Sequence, residues 1–419
     1  MIKKLKQHYG VFSILVLGFL TRFIYVINTS VYERGHDVGY YTSLTDGKIN
    51  IGHLGYIEYI AKFGHLPDFD PFEVFIFYHP PLNHVLGAMV LRISTFFGAG
   101  IDAAFKNVQY MELFFSTMCM VVVYLILKRL VQEDKYIVLG LAVFCFHPSL
   151  VYMSASINND MLSTLFELLC VYFGLLWMEN FQSRYLYLTG LCIGLGMCAK
   201  LNASIMAFPV GLIMLMHFID SIKDKTWAKC VKEYIVFGLI TVPIGMWWTV
   251  RNFILFHQTP GVPTGDETDF KYVGFASWIE QFGIPKSLNL SFPFHSAKAS
   301  YTSNAWLIMF RTAIFTEIWP AGMEEPYLTF CRIAFLFSIA LAFVCAILTI
   351  YVNIKEIRNG NVYRGTFLLS GYITFILAFI AFVIKYQFTC SSDFRYIAAI
   401  LVYSAASLAQ VLWLKKKQA

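Results

Sequence analysis

Charge is what this chain has least of. Only 14% of its 419 residues are Asp, Glu, Lys or Arg, against about 25% in an ordinary soluble protein. With 58% hydrophobic residues, the scarcity excludes a soluble domain of ordinary size. Apolar runs near the roughly 20 residues that a helical span needs recur from residue 11 to residue 414. Cysteine outside apolar segments is also scarce. Eight of nine cysteines (Cys119, Cys145, Cys170, Cys192, Cys198, Cys230, Cys331 and Cys345) lie in or beside apolar runs, and only Cys390 falls in an outer loop, so no disulfide framework is expected. No P-loop sequence and no HExxH zinc motif occur. An internal repeat, inverted or direct, is also lacking, which weighs against a secondary transporter. "GLGMCA" (194–199) matches the loose dinucleotide pattern but lies inside an apolar run with no strand before it. Gly190, Gly194 and Cys198 are read instead as a helix-packing face.

What the chain does contain is a polytopic, all-α membrane pattern. The opening "MIKKLKQHYG" resembles a signal peptide, but no small-residue cleavage site follows and the span continues, so it is read as a retained first helix. Basic clusters recur at Lys3 to Lys6, Lys128/Arg129/Lys135, Arg184, Lys223 to Lys232, Lys355/Arg358/Arg364 and Lys415 to Lys417. Placing them all inside selects about ten transmembrane helices: 11–28, 107–128, 136–153, 161–178, 186–199, 202–219, 234–251, 328–352, 366–385 and 396–414. Both termini are then cytoplasmic. The net charge of +6 is spent on orientation, and no nucleic-acid partner is expected. Residues 82–98, with Asn83, His84 and Arg92, read as an amphipathic interfacial helix; 49–64 and 303–319 read as surface helices. The chain forms one integral domain with two long outer loops, 29–106 and 252–327, and two short ones, 154–160 and 386–395. The loops are where function is sought.

Three acids stand at outer helix boundaries: Asp37 in "GHDVGYY", Asp160 in "SINNDML" and Asp393 in "SSDFRYI". Each has a bland reading as an interfacial charge, and Asp160 and Asp393 as partners of a helix N-terminus. Together they could ring one outward cavity. Lys200, Arg251 and Arg395 lie at outer boundaries too, against the inside bias of the other basic residues, and guanidinium suits bidentate phosphate contact. In "FYHPPLNHVL" two prolines fix the backbone after His79, either as a plain turn before a helix or as a rigid mount for a phosphate-binding imidazole. The helix centres read as nearly free of charge, with Glu167 the exception.

The ordered set "HDVGYY", "HPPL", "HPSLVYMSASINND", "GLGMCAKLNA", "WWTVRN" and a late "RY" resembles the C-type glycosyltransferase superfamily. Within it, the pattern is similar to the family of protein O-mannosyltransferases and the lipid A aminoarabinose transferases, over roughly residues 10–255. The resemblance implies a polyprenyl-phosphate sugar donor and an acceptor (protein, lipid or polysaccharide) on the outer face. It implies Asp37 as catalytic base, Asp160 as the second acidic motif, and His79 and Arg251 at the donor phosphate with Lys200 and Arg395 assisting. His36, Tyr40, Tyr41, Asn159, Asp393 and Tyr396 are then expected on the substrates. Many relatives carry a second acid directly after the first, where this chain has Val38. No cofactor is required by this reading; a divalent cation, Mg²⁺ or Mn²⁺, on the outer carboxylates stays open.

The chemistry fits the residue types. A sugar held through an anomeric phosphate loses an anionic leaving group, which fixed positive charge stabilises, and the attacking hydroxyl needs one carboxylate base. Single displacement inverts the anomeric centre. The alternatives are a transporter or flippase of a lipid-linked glycan, which would carry charges within its helices, and a surface polysaccharide polymerase or ligase. The expected compartment is the plasma membrane, with the endoplasmic reticulum as alternative.

Overall fold

The computed structural model describes residues 2–33, 51–261, 278–285, 287–288, 290–291, 293–294, 304–316, 323–386 and 389–418. His36, Asp37, Tyr40 and Tyr41 lie outside the described residues. Among the described residues there is no β-strand; the chain is a helical assembly.

The helices are α1 (Ile2–Asn28), α2 (Gly52–Phe63), α3 (Leu82–Phe96), α4 (Ile101–Leu130), α5 (Asp134–Cys145), α6 (Pro148–Met153), α7 (Asp160–Asn180), α8 (Ser183–Ala199), α9 (Ala207–Lys223), α10 (Trp227–Phe256), α11 (Trp278–Phe282), α12 (Ala305–Phe315), α13 (Tyr327–Arg358), α14 (Val362–Lys385) and α15 (Leu401–Gln418). Short 3₁₀ segments, Leu201–Met206 and Phe394–Ile400, lead into α9 and α15.

Among the described residues, eight helical segments are long and apolar enough to cross a membrane: Tyr9–Asn28, Ile101–Leu130, Asp160–Asn180, Leu201–Lys223, Trp227–Phe256, Tyr327–Arg358, Val362–Lys385 and Phe394–Leu414. Two of the ten spans expected from sequence are not among these eight. The expected span 136–153 is broken: Pro148 lacks an N–H and holds His147 extended (φ −63°, ψ 123°), so α5 stops at Cys145 and α6 starts afresh. The other, α8, is 17 residues long and ends at the extended Lys200 (φ −154°, ψ 129°).

Packing follows small residues. A Cβ on Gly140 of α5 would stand 2.2 Å from the Ala405 carbonyl oxygen, so α5 and α15 approach backbone to backbone. The expected packing face of α8 is present: Gly190 and Gly194 abut Thr241, Phe237 and Ile244 of α10, and the Cys198 thiol donates to the Ile244 carbonyl at 2.7 Å. The eight cysteines in or beside apolar runs are all free.

The residues that suggested an amphipathic helix at 82–98 have a different orientation from the one expected. Asn83 and His84 are fully buried against α2 and α4, while Ile93, Phe96 and Phe97 are exposed. An inside-out helix of this kind suits lipid surroundings, where the polar groups must find their partners within the protein. Charge in the helix interiors is also more frequent than expected. Besides Glu167, α1 buries Arg22 and α4 buries Glu112. Arg22 is accommodated by bonds to Ser116 Oγ (2.9 Å), the Gly18 carbonyl (3.1 Å) and the Cys145 carbonyl.

Candidate active site

Three chain segments meet at one carboxylate. Asp160 opens α7, and its backbone N–H donates to Asn158 Oδ1 at 3.0 Å, which fixes the helix start. Its side chain is 4% exposed. Lys200, in the extended link between α8 and the 201–206 segment, donates through Nζ to Asp160 Oδ1, and Arg395 Nη1 lies 3.6 Å from Oδ2. Next along the chain, Asp393 caps the 394–400 segment by accepting from the Arg395 N–H at 3.0 Å, and its Oδ2 is 3.6 Å from Arg395 Nε. The Tyr396 ring closes the cluster, 4.6 Å from Lys200 Nζ and 5.2 Å from the Arg395 guanidinium carbon. Asn159 points elsewhere: its amide donates to the Ala199 carbonyl at 2.9 Å, tying α7 to the end of α8.

Beside this cluster stands a histidine group that the sequence reading only half found. His79 stacks on His53 (5.5 Å, 16°), and His53 Nδ1 lies 2.9 Å from His84 Nε2. The Tyr56 ring backs His84 at 4.3 Å, and Trp248 Nε1 donates to the Tyr78 carbonyl at 3.1 Å, so α10 holds the turn that presents His79. Burial, followed by the nearby charge of Lys200 and the neighbouring His84, holds His79 well below the usual histidine pKa. The same forces depress His53, and burial takes His84 down to about 3. All three imidazoles are therefore neutral near pH 7. A neutral imidazole can donate one hydrogen bond to a phosphate and carries no charge to it.

Arg251 is held by a different set of partners. It donates to the Pro67 carbonyl and to Asn252 Oδ1 (2.8 Å) and lies over the Trp248 ring at 5.0 Å. Seven residues on, just past the end of α10, Gln258 donates to Asp70 Oδ2 at 2.7 Å. The end of α10 thus grips the segment 67–70. A small cavity beside Arg395 is lined by Ser149, Ser156, Asn158, Thr316 and Asp393.

As site residues, sequence reasoning missed His53, Asn83, His84, Gln109 and Glu112, polar residues set in largely apolar stretches; Asn83 and His84 it placed only on an interfacial helix. A polar residue in such a stretch is the signal that could have found them, since it must be paired once buried. No group of three or more His, Cys, Asp or Glu side chains among the described residues is arranged to hold a metal ion. Asp160 and Asp393 are already engaged by Lys200 and Arg395.

Residues 79–247, which include His79, Asp160 and Lys200, match the family described as dolichyl-phosphate-mannose-protein mannosyltransferase. Over 98% of the chain, the architecture is similar to the apo oligosaccharyltransferase of Archaeoglobus fulgidus, with a TM-score of 0.51 at 13% identity. The fold is like that of the C-type glycosyltransferases. This chain spans about half of that enzyme, 51% of its length. The same archaeal enzyme tethered to an acceptor peptide gives 0.49 at 13% identity, covering 99% of this chain and 50% of the other. ArnT from Cupriavidus metallidurans in the apo state gives 0.39 at 13% identity, covering 95% and 76%. At 13% identity the likeness to the apo archaeal enzyme is one of fold alone. No curated protein sequence matches the chain at a significant level.

Proposed function

We propose that this multi-pass membrane protein transfers a sugar from a polyprenyl-phosphate donor to an acceptor hydroxyl on the outer face of the membrane, by single displacement with inversion. The observation that carries the reading is the convergence of Lys200 and Arg395 on Asp160, within electrostatic reach of the neutral His79. Two fixed cations at one point can take the charge that develops on a departing phosphate. Lys200 and Arg395 are the main phosphate holders in this reading, with His79 as a neutral donor. Arg251 acts through the 67–70 segment. An acid paired with two cations is a poor base, so Asp160 orients the cations, and Asp37 takes the proton from the acceptor hydroxyl.

His36, Tyr40, Tyr41, Asn159, Asp393 and Tyr396 complete the substrate surroundings in this reading. The mechanism needs no metal; Mg²⁺ or Mn²⁺ at the outer carboxylates is the alternative, tested by chelation. The acceptor is a protein, lipid or polysaccharide, and the compartment is the plasma membrane with both termini cytoplasmic, or the endoplasmic reticulum membrane. The test is incubation of purified protein with a panel of polyprenyl-phosphate sugars. One donor should be consumed, and Asp37→Asn should abolish its use while leaving donor binding intact. Near-normal turnover by that variant overturns the role of Asp37.

The buried Arg22, Glu112 and Glu167 favour a second reading, a flippase of a lipid-linked glycan. Against it, Arg22 and Glu112 are bonded to neighbouring helices: Arg22 to Ser116 and Cys145, Glu112 to Asn83. Movement of labelled donor across a vesicle bilayer without transfer would favour the flippase.

A further inference from the structure

Four polar side chains stand on one face of α4: Lys106, Gln109, Glu112 and Ser116. Intervals of three and four residues place each one a turn beyond the last. Gln109, Glu112 and Ser116 are fully buried, and the stripe reaches α1, α3 and the segment before α7. Lys106 Nζ donates to the Thr29 carbonyl (2.8 Å) and to that of Val26, at the end of α1. Gln109 accepts from the same Nζ at 2.7 Å and donates to the Ala155 carbonyl at 2.8 Å. Glu112 Oε1 accepts from Asn83 Nδ2 at 2.9 Å, and Asn83 spends its second N–H on the Asn158 carbonyl at 2.8 Å. Ser116 receives Arg22 of α1.

The central contacts of the stripe reach the elements that carry the site. Asn83 lies four residues after His79, and Asn158 holds the N–H of Asp160. A buried carboxylate is a poor way to add stability, since an apolar side chain would pack there at less cost. What a bonded polar group adds is direction, because it fixes which atoms meet and at what angle.

We propose that this face of α4 is the positioning frame of the site. Glu112 is its central positioning residue and, through Asn83, sets the spacing between the His79 turn and the start of α7 at Asp160. Glu112 acts through Asn83 and takes no part in the proton transfer. The kinetic side of this inference rests on the transferase reading; the structural side does not.

The experiment compares Glu112→Gln, whose amide oxygen can still accept from Asn83, with Glu112→Ala and Asn83→Ala in the full-length protein in detergent. Hydrogen exchange is followed over residues 79–85 and 154–160, alongside turnover of the lipid-linked donor. Glu112→Gln should keep exchange and kcat within about threefold of the parent. The alanine variants should raise exchange in those two segments with the rest unchanged. They should also lower kcat by about 10- to 100-fold, as a misplacement on the order of 1 Å does, with donor KM within about twofold. Asn83→Ala keeps the comparison available where Glu112→Ala fails to fold. A Glu112→Gln enzyme as inactive as the alanine variant would show that the acid itself reacts and would overturn the proposal. Exchange unchanged in the alanine variants, or raised uniformly along the chain, would overturn it too. Should the parent turn over no lipid-linked sugar, the transferase reading fails, while the exchange comparison still decides the frame.

Discussion

Asp160 Oδ2 lies 3.6 Å from Arg395 Nη1, and the two residues are separated by more than half the chain. Their ion pair, with Lys200 on the other carboxylate oxygen, joins the start of α7 to the segment that opens the last helix. Removing one partner of a buried pair leaves the other charge uncompensated, at a cost of about 3–5 kcal/mol. Asp160→Asn should therefore lower the thermal midpoint, and inorganic phosphate should restore more of it in the variant than in the parent, since a ligand stabilises the state that binds it. Thermal shift with and without phosphate checks this. Equal shifts in both proteins would argue that the two cations do not form an anion site.

The buried histidines set a pH dependence with a definite sign. The imidazole of His84 is held at about 3 by burial, and an unfolded histidine titrates near 6.5. Between those values the unfolded chain binds the proton and the folded one does not, so stability is complete above about pH 6.5 and declines as pH falls toward 3. His53 and His79 are depressed in the same direction. The midpoint should fall between pH 7 and pH 5 in thermal scans, at up to about 1.4 kcal/mol per pH unit for each such histidine. His84→Gln should flatten that slope. An unchanged slope would mean that His84 is protonated inside the fold.

Two glycines give opposite outcomes. Gly140 has no room for a methyl group because the Ala405 backbone oxygen would be 2.2 Å away, whereas a Cβ on Gly211 in α9 meets nothing within 4 Å. Gly140→Ala should separate α5 from α15 and lower the midpoint by an amount typical of an overpacked core, about 1–3 kcal/mol or more. Gly211→Ala should be neutral or raise stability by up to about 1 kcal/mol through helix propensity. Parallel thermal scans of the two variants decide it.

The legible part of this molecule was its helix ends. Asp160, Lys200, Asp393, Arg395 and Tyr396 stand where apolar runs stop, a position visible in the sequence, and the fold draws them into one cluster. The histidine pair and the α4 frame were not legible. Glu112 looks like an isolated acid in a span until Asn83, 29 residues earlier, is seen against it, and Arg22 finds Ser116 across 94 residues. Long-range pairing of single polar residues leaves no local pattern. The Pro148 break was written in the sequence, but the run around it was long and apolar enough to be read as one span.

The central claim is that Lys200 and Arg395 hold the phosphate of a lipid-linked sugar. Its most direct test is the affinity of a polyprenyl-phosphate sugar for the parent, Lys200→Met and Arg395→Met, each monodisperse in the same detergent. Binding in either variant should be at least about tenfold weaker, equivalent to roughly 1.4 kcal/mol. Folded variants that bind the donor as tightly as the parent would contradict it.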